Sequence, residues 1–173
     1  HGFDRALPWT CTSCGHCTLR CPRGVRPAEM IVEARSSLLE AAGAELIVLC
    51  TNTMHRVAPS IEGAITVPLL HIADPTAAAI HAHGLSTVGL LGTRYTMELG
   101  FYRKRLAASG IASVIPDEPD RTTVHDIIFD ELVRGIIDPA SRSEYIRIVD
   151  SLIDHGAEGL IAGCTEIELL IDA

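Results

Sequence analysis

From residue 27 onward the apolar positions alternate between two rhythms. PAEMIVEARSSLLEAAG, 27–43, places Ile31, Ala34, Leu38 and Ala42 at helical intervals, and Gly43 follows as a C-terminal cap. AELIVLCT, 44–51, is a short apolar, β-rich run of the kind buried in a parallel sheet. VPLLHI, 67–72, predicts the next strand, and Asp74 with Pro75 predicts an N-cap and first-turn proline for a helix ending near Gly84. STVGLLGT, 86–93, predicts a strand. MELGFYRKRLAAS predicts one helix stopped by Gly110, and IASVIP, 111–116, a further strand. RTTVHDIIFDELVRG, 121–135, sets Val124, Ile127, Ile128 and Leu132 on one helical face. Ser141 and Glu144 read as a capping box. The helix they open turns Tyr145, Ile148, Val149, Leu152 and Ile153 inward, and AEGLIAGCT, 157–165, is the last strand.

Helices and strands therefore alternate with short connections. That order predicts an α/β domain with a largely parallel sheet. The working residues of such sheets collect at the carboxyl ends of the strands. Three ends carry small hydroxyl, amide or thiol groups: Thr51-Asn52-Thr53, Gly92-Thr93-Arg94 and Gly163-Cys164-Thr165-Glu166.

Composition narrows the classes. The chain has 173 residues, 47% of them hydrophobic, enough to build a core. The formal net charge is −8 and no basic patch appears, which argues against nucleic acid as a partner. No run approaches the ~20 apolar residues of a membrane helix, and no signal-peptide core opens the chain. The chain begins on His1 rather than Met, which reads as a processed form or a fragment. Of six cysteines, four lie in the first 21 residues and the others are Cys50 and Cys164. A secreted disulfide framework would spread them, so a reducing cytoplasm is expected.

Hydroxyls and helix-start N–H groups at strand ends suit a carboxylate. Cys164 sits at such a place. A helix N-terminus there would favour its thiolate, which could act as a base toward carbon. The alternative is a buried structural cysteine. Arg94 fits either a substrate side-chain carboxylate or the surface. His55 fits either an assisting role or a satisfied helix start. Glu166 fits either tuning of Cys164 or capping of the next helix. His71, His81, His83, His125 and His155 show no metal-binding spacing.

LCTNTMH at 49–55, LLGTRYTM at 90–97 and GCTEIELL at 163–170 together resemble the aspartate/glutamate racemase family over about residues 38–170. VGLLGTRYTMELGFYRKRL is similar to its bacterial aspartate/glutamate subgroup. The resemblance implies a flavodoxin-like fold of two α/β domains and racemization of an acidic amino acid without pyridoxal phosphate. It implies a substrate flanked by one acid–base residue from each domain, a small-molecule amino acid as partner, and a homodimer. Cys164 matches the second-domain thiol. Gly92, Thr93 and Thr165 match the carboxylate pocket, and Asn52 and Thr53 the first domain's carboxylate-binding turn. The commoner first-domain pattern is Cys-Asn-Thr. Here it reads Thr51-Asn52-Thr53, which resembles the L-specific branch. Cys50 is no simple substitute, because neighbouring side chains on a strand point to opposite faces. The expectation is that Cys164 deprotonates the L-enantiomer and Thr51 serves the reprotonating face.

The head departs from this pattern. Cys11, Cys14, Cys17 and Cys21 are spaced C-x2-C-x2-C-x3-C with Pro22 following, the ferredoxin spacing for a 4Fe–4S cluster. A small zinc site is the alternative. Residues 9–31 resemble a segment of heterodisulfide-reductase-like electron-transfer subunits. In two-cluster ferredoxins the fourth cysteine serves the other cluster, and no second run exists here. The head stands where the family's first strand and Gly-rich turn are expected. The expected domains are thus a ferredoxin-like head at 1–27, a partial first racemase domain at 28–84 and a second at 85–173. An iron–sulfur electron-transfer protein on a racemase-like scaffold is the alternative function.

Overall fold

The computed structural model describes residues 27–171. The chain divides into two units, His1–Cys50 with Arg56–His71, and Thr51–His55 with Ile72–Ala173. In the first unit, helix α1 (Pro27–Ala41) ends at Gly43, whose φ of 96° is a left-handed stop open to glycine. Its inward face carries Val32 and Ser36, while Ala34 and Leu38 are half-buried and Ala42 is exposed. The expected stripe is thus rotated. Ser36 is accommodated because its hydroxyl donates to the Val32 carbonyl at 3.0 Å.

Strand β1 (Ile47–Val48), helix α2 (Ala58–Ala64) and strand β2 (Leu69–Leu70) complete this unit. The two strands pair in parallel, Ile47 opposite Leu69 and Val48 opposite Leu70. Both are much shorter than the expected runs 44–51 and 67–72. Pro68 has no N–H to extend the ladder, and Val48 and Leu70 face outward.

The second unit opens with α3 (Ala73–Ala82), β3 (Thr87–Leu91), α4 (Arg94–Glu98), α5 (Phe101–Ala108) and β4 (Ala112–Val114). Asp74 lies inside the first turn of α3 rather than capping it. Its carboxylate instead pairs with Arg105 of α5, Oδ1 to Nε at 2.6 Å and Oδ2 to Nη2 at 2.7 Å. The helix expected across 97–109 is two helices, because Gly100 adopts φ 72° and turns the chain between them. Helix α6 (Asp120–Asp126) continues as a π turn (Ile127–Glu131) and a 3-10 turn (Leu132–Arg134) up to Gly135. Val124, Ile127, Ile128 and Leu132 are all buried, as the periodicity predicts.

Helix α7 (Pro139–Asp154) is capped differently from expectation. Asp138 is the N-cap, accepting from the Ala140 N–H at 2.7 Å, with Pro139 in the first turn. Ser141 lies within the helix, so the Ser141–Glu144 box does not form. Tyr145, Ile148 and Leu152 are buried, Val149 is half-buried, and Ile153 falls off the stripe, 57% exposed. Strand β5 (Gly159–Ala162) and a 3-10 turn (Thr165–Leu169) end the described chain.

The sheet order is β4-β3-β5, all parallel. Alternate residues of β3 feed two cores. Val88 and Leu90 pack with Ala77, Ile80, Tyr102 and Leu106 of α3 and α5. Leu91 packs with Val124, Tyr145, Ile148 and Leu152 of α6 and α7. Helices thus cover both faces, and the ends of β3 and β5 open on the same side.

Candidate functional site

The turn after the first unit's β1 belongs to the second unit. Thr51 is exposed, and Asn52 and Thr53 are half-buried. The Asn52 side chain reaches across the sequence and donates from Nδ2 to the Gly163 carbonyl at 2.8 Å. Its Oδ1 is buried and has no hydrogen-bond partner among the described residues. His55 is 1% exposed. Its backbone N–H donates to the Asn52 carbonyl at 3.0 Å, and its ring contacts the Thr51 carbonyl through Nδ1 at 2.8 Å. Nε2 accepts from the Ile72 N–H at 3.0 Å. Both ring nitrogens of His55 thus meet backbone groups.

The end of β3 is tight. A Cβ on Gly92 would lie 3.3 Å from Thr96 Cβ and 3.6 Å from the Gly163 carbonyl carbon. Thr93 precedes α4 in extended backbone, and its carbonyl accepts from the N–H groups of Thr96 and Met97. The Thr93 hydroxyl lies 3.4 Å from that of Thr96. Arg94 is engaged locally. Its Nη2 donates to Thr122 Oγ1 at 3.0 Å, and Nε lies 3.9 Å from Glu98 Oε1. The Arg94 backbone N–H donates to His125 Nδ1 at 3.2 Å. His125 in turn packs against Tyr95 and Phe129. Nothing in the sequence spacing of Arg94 and His125 signals this helix-start partner.

The end of β5 lies alongside. Gly163 donates its N–H to the Leu91 carbonyl at 2.6 Å. A Cβ there would stand 2.8 Å from that same oxygen, so only glycine fits. Cys164 follows, half-buried against the core that contains Tyr145 and Ile167. Its thiol donates to Glu166 Oε2 at 2.8 Å, and the Thr165 hydroxyl donates to the same oxygen at 3.2 Å.

Burial pushes the Cys164 thiol up to about 12, and the hydrogen bond and negative charge of Glu166 add to it. The turn that follows has only five residues and places Glu166 and Glu168 in its first turn, so it offers little positive field. Glu166 is correspondingly held below the usual carboxylate range, mainly by the thiol it accepts from. Glu166 therefore tunes Cys164, the first of its two sequence readings. Tyr145 is pushed well above its ordinary value, first by burial and then by the Cys164 charge. Its hydroxyl donates to the Val124 carbonyl at 3.2 Å.

Asn52 thus joins the first strand-end motif to the third, and Gly92 and Thr96 abut Gly163. Cys50 and Cys164 are free thiols. Cys11, Cys14, Cys17 and Cys21 lie outside the described residues. Among the described residues no group of His, Cys, Asp and Glu is arranged to hold a metal ion. No helix among them is long and apolar enough to cross a membrane.

A fold of parallel strands flanked by helices, with Thr, Asn and Cys side chains gathered at strand ends, has known relatives. The Asp/Glu/hydantoin racemase family model matches residues 9–173, and the chain belongs to that family. A candidate Asp/Glu racemase from Yersinia pestis has a crystal structure 51% identical in sequence. The match covers 85% of this chain and 64% of that one, with a TM-score of 0.81. An aspartate racemase homologue from Pyrococcus horikoshii is 34% identical over 90% of this chain and 69% of its own, with a TM-score of 0.78. Among curated proteins, the glutamate racemase of Exiguobacterium sibiricum is 27% identical over 90% of this chain. The broad-specificity amino-acid racemase of Bacillus subtilis is 26% identical over 78% of it. The chain spans 58% and 57% of the lengths of these two relatives. Neither the family nor these relatives point to an iron–sulfur role.

Proposed function

We propose that this chain racemizes an acidic amino acid, aspartate or glutamate, by moving the α-proton between Cys164 and the Thr51 side, without pyridoxal phosphate. The observation that carries the reading is the Asn52–Gly163 hydrogen bond, 2.8 Å long. It ties the segment holding Thr51 to the residue before Cys164. That tie supports a single site served by groups from distant parts of the chain, which two-sided proton transfer requires.

The proton steps follow from the state of the thiol. Cys164 is protonated at neutral pH and already donates to Glu166. It can accept the α-proton only as its own proton leaves. Breaking the substrate Cα–H bond forms a new Sγ–H bond while the original thiol proton passes to Glu166 Oε2. The electron pair left on Cα spreads into the substrate carboxylate. Asn52, Thr53, Gly92, Thr93 and Thr165 are the groups offered to that carboxylate. The buried, unpartnered Asn52 Oδ1 suits a donor such as the α-ammonium, because a buried acceptor left unpaired is costly. On the opposite face the Thr51 hydroxyl gives its proton to Cα and regains one from solvent, and Glu166 returns its proton to solvent. A hydroxyl serves better as donor than as base, so α-proton exchange of the L-enantiomer at the Cys164 face should outpace that of the D-enantiomer at the Thr51 face, while net racemization has no favoured direction.

Arg94 is the group offered to the substrate's side-chain carboxylate, with Thr122 and Glu98 setting its pose. The free thiols fit a reducing cytoplasm. The test is α-proton exchange of L-aspartate and L-glutamate in heavy water, with Cys164→Ala as control. Exchange that the control loses supports the reading. No exchange from a folded sample overturns it.

A further inference from the structure

His55 is almost fully buried, and its ring nitrogens meet two backbone groups, the Thr51 carbonyl and the Ile72 N–H. Those groups settle its tautomer. The Ile72 N–H is a donor and can bond Nε2 only if that nitrogen is bare. Nδ1 therefore carries the proton and donates to the Thr51 carbonyl, 2.8 Å away. The neutral ring thus links the start of α3 to the peptide that follows Thr51. The backbone N–H of His55 holds the next carbonyl, that of Asn52, at 3.0 Å. Both peptide planes flanking Asn52 are fixed from one residue, and Thr51 lies at the free end of that turn.

We infer that His55 is a positioning residue for the Thr51 face, holding the Thr51 peptide through its Nδ1–H so that the hydroxyl is aimed at Cα. This rests on the racemase reading above. It goes beyond that reading in assigning control of one face, product formation, to a residue that serves neither as acid nor as base. Burial supports it, because a protonated ring would lose the Ile72 bond and carry an unsolvated charge, so the neutral donor form prevails.

Two substitutions separate the two ring bonds. In His55→Asn the amide NH2 stands near the Nδ1 position, keeping the Thr51 bond and losing the Ile72 one. In His55→Gln the longer side chain reaches the Nε2 position, keeping the Ile72 bond and losing the Thr51 one. Each loses one hydrogen bond, so similar melting temperatures are expected. The catalytic readout is a ratio: D-enantiomer formed against total α-proton exchange of the L-enantiomer. Exchange with retention needs only the Cys164 face, while D-product needs the Thr51 face. His55→Gln is expected to lower this ratio roughly five- to tenfold, and His55→Asn to leave it near the wild-type value. A purely structural role would lower exchange and product together and leave the ratio unchanged in both variants, which would overturn the inference. Nitrogen chemical shifts of the His55 ring give a second readout. A proton on Nδ1 supports the inference and a proton on Nε2 overturns it, whatever the activity. A folded wild-type chain with no exchange at all overturns the racemase reading and this role with it. An altered tautomer or an unchanged ratio overturns this role alone.

Discussion

The side-chain amide of Asn52 donates to the main-chain carbonyl of Gly163 across 111 positions of sequence, at 2.8 Å. Each residue neighbours one of the two groups assigned to opposite faces of the substrate, Thr51 and Cys164. One hydrogen bond therefore couples two strand ends that the chain itself separates widely.

Removing that bond should loosen the site more than the fold. Asn52→Ala is expected to cost about 1–2 kcal/mol of stability, the worth of one part-buried hydrogen bond with its partner left unpaired. Asn52→Asp should cost more, because a carboxylate would then face the Gly163 carbonyl with no donor. Denaturant melts rank the two variants, and equal stability to wild type would mean that the bond contributes nothing in solution.

Gly163 has no room for a side chain. A Cβ would lie 2.8 Å from the Leu91 carbonyl oxygen, a backbone atom that cannot swing away. Gly163→Ala is expected to destabilize by about 1–3 kcal/mol and to displace Cys164 with it. Gly92→Ala should be milder, since its closest neighbour is the Thr96 side chain at 3.3 Å. Thermal melts of both variants check the order.

Glu166 should set the titration of Cys164 without being its main cause. Burial is the larger influence, so Glu166→Gln is expected to lower the thiol from about 12 yet leave it above the ordinary value of about 8.5. The pH dependence of alkylation of Cys164, followed on a Cys50→Ser background, measures this. Activity of Glu166→Gln should fall as well, because glutamine cannot take the thiol proton. A variant with an unshifted thiol and full activity would remove Glu166 from the proton path.

The buried histidine gives a pH dependence of stability with a definite sign. Burial holds His55 below its ordinary value, against the opposing pull of the Thr51 and Asn52 carbonyls and Asp74. The unfolded chain then binds a proton first as pH falls. The stability that neutral His55 contributes is complete above about pH 6.5 and is lost below it, down through the folded-state value. His125 adds the same sign through burial and the nearby Arg94. Melting temperature should therefore drop between about pH 7 and about pH 5, and less steeply in His55→Asn. A wild-type slope no steeper than that of the variant would contradict this.

Much of the second unit was legible from pattern alone. The alternation of helices and strands and the buried faces of 124–132 and 145–152 follow the apolar periods, and the motifs at 92–94 and 163–166 directly follow β3 and β5. Local geometry was less legible. The break at Gly100 depends on a positive φ that a lone glycine does not announce. The cap of α7 went to Asp138 because Pro139 preset the first turn, outcompeting Ser141. The strands of the first unit shrink to two residues, beside Pro68, which has no N–H to extend the ladder. In the site, the motif residues were visible but their couplings were not. Nothing in the spacing of Asn52 and Gly163, or of His55 and Ile72, signals a contact, since these are set by how strand ends meet. The state of the Cys164 thiol was equally illegible, because burial and a carboxylate two residues on outweigh one short helical turn.

In the proposed reaction Cys164 removes the α-proton of an L-amino acid, and return from the Thr51 side gives the D-enantiomer. Proton NMR of L-aspartate and L-glutamate in heavy water with the wild-type chain, beside Cys164→Ala, tests it most directly. Loss of the α-proton signal is expected from at least one L-substrate, with slower loss from its D-enantiomer and a fall of about a hundredfold or more in Cys164→Ala. Exchange that survives in Cys164→Ala, or a folded wild-type chain that exchanges neither substrate, would contradict it.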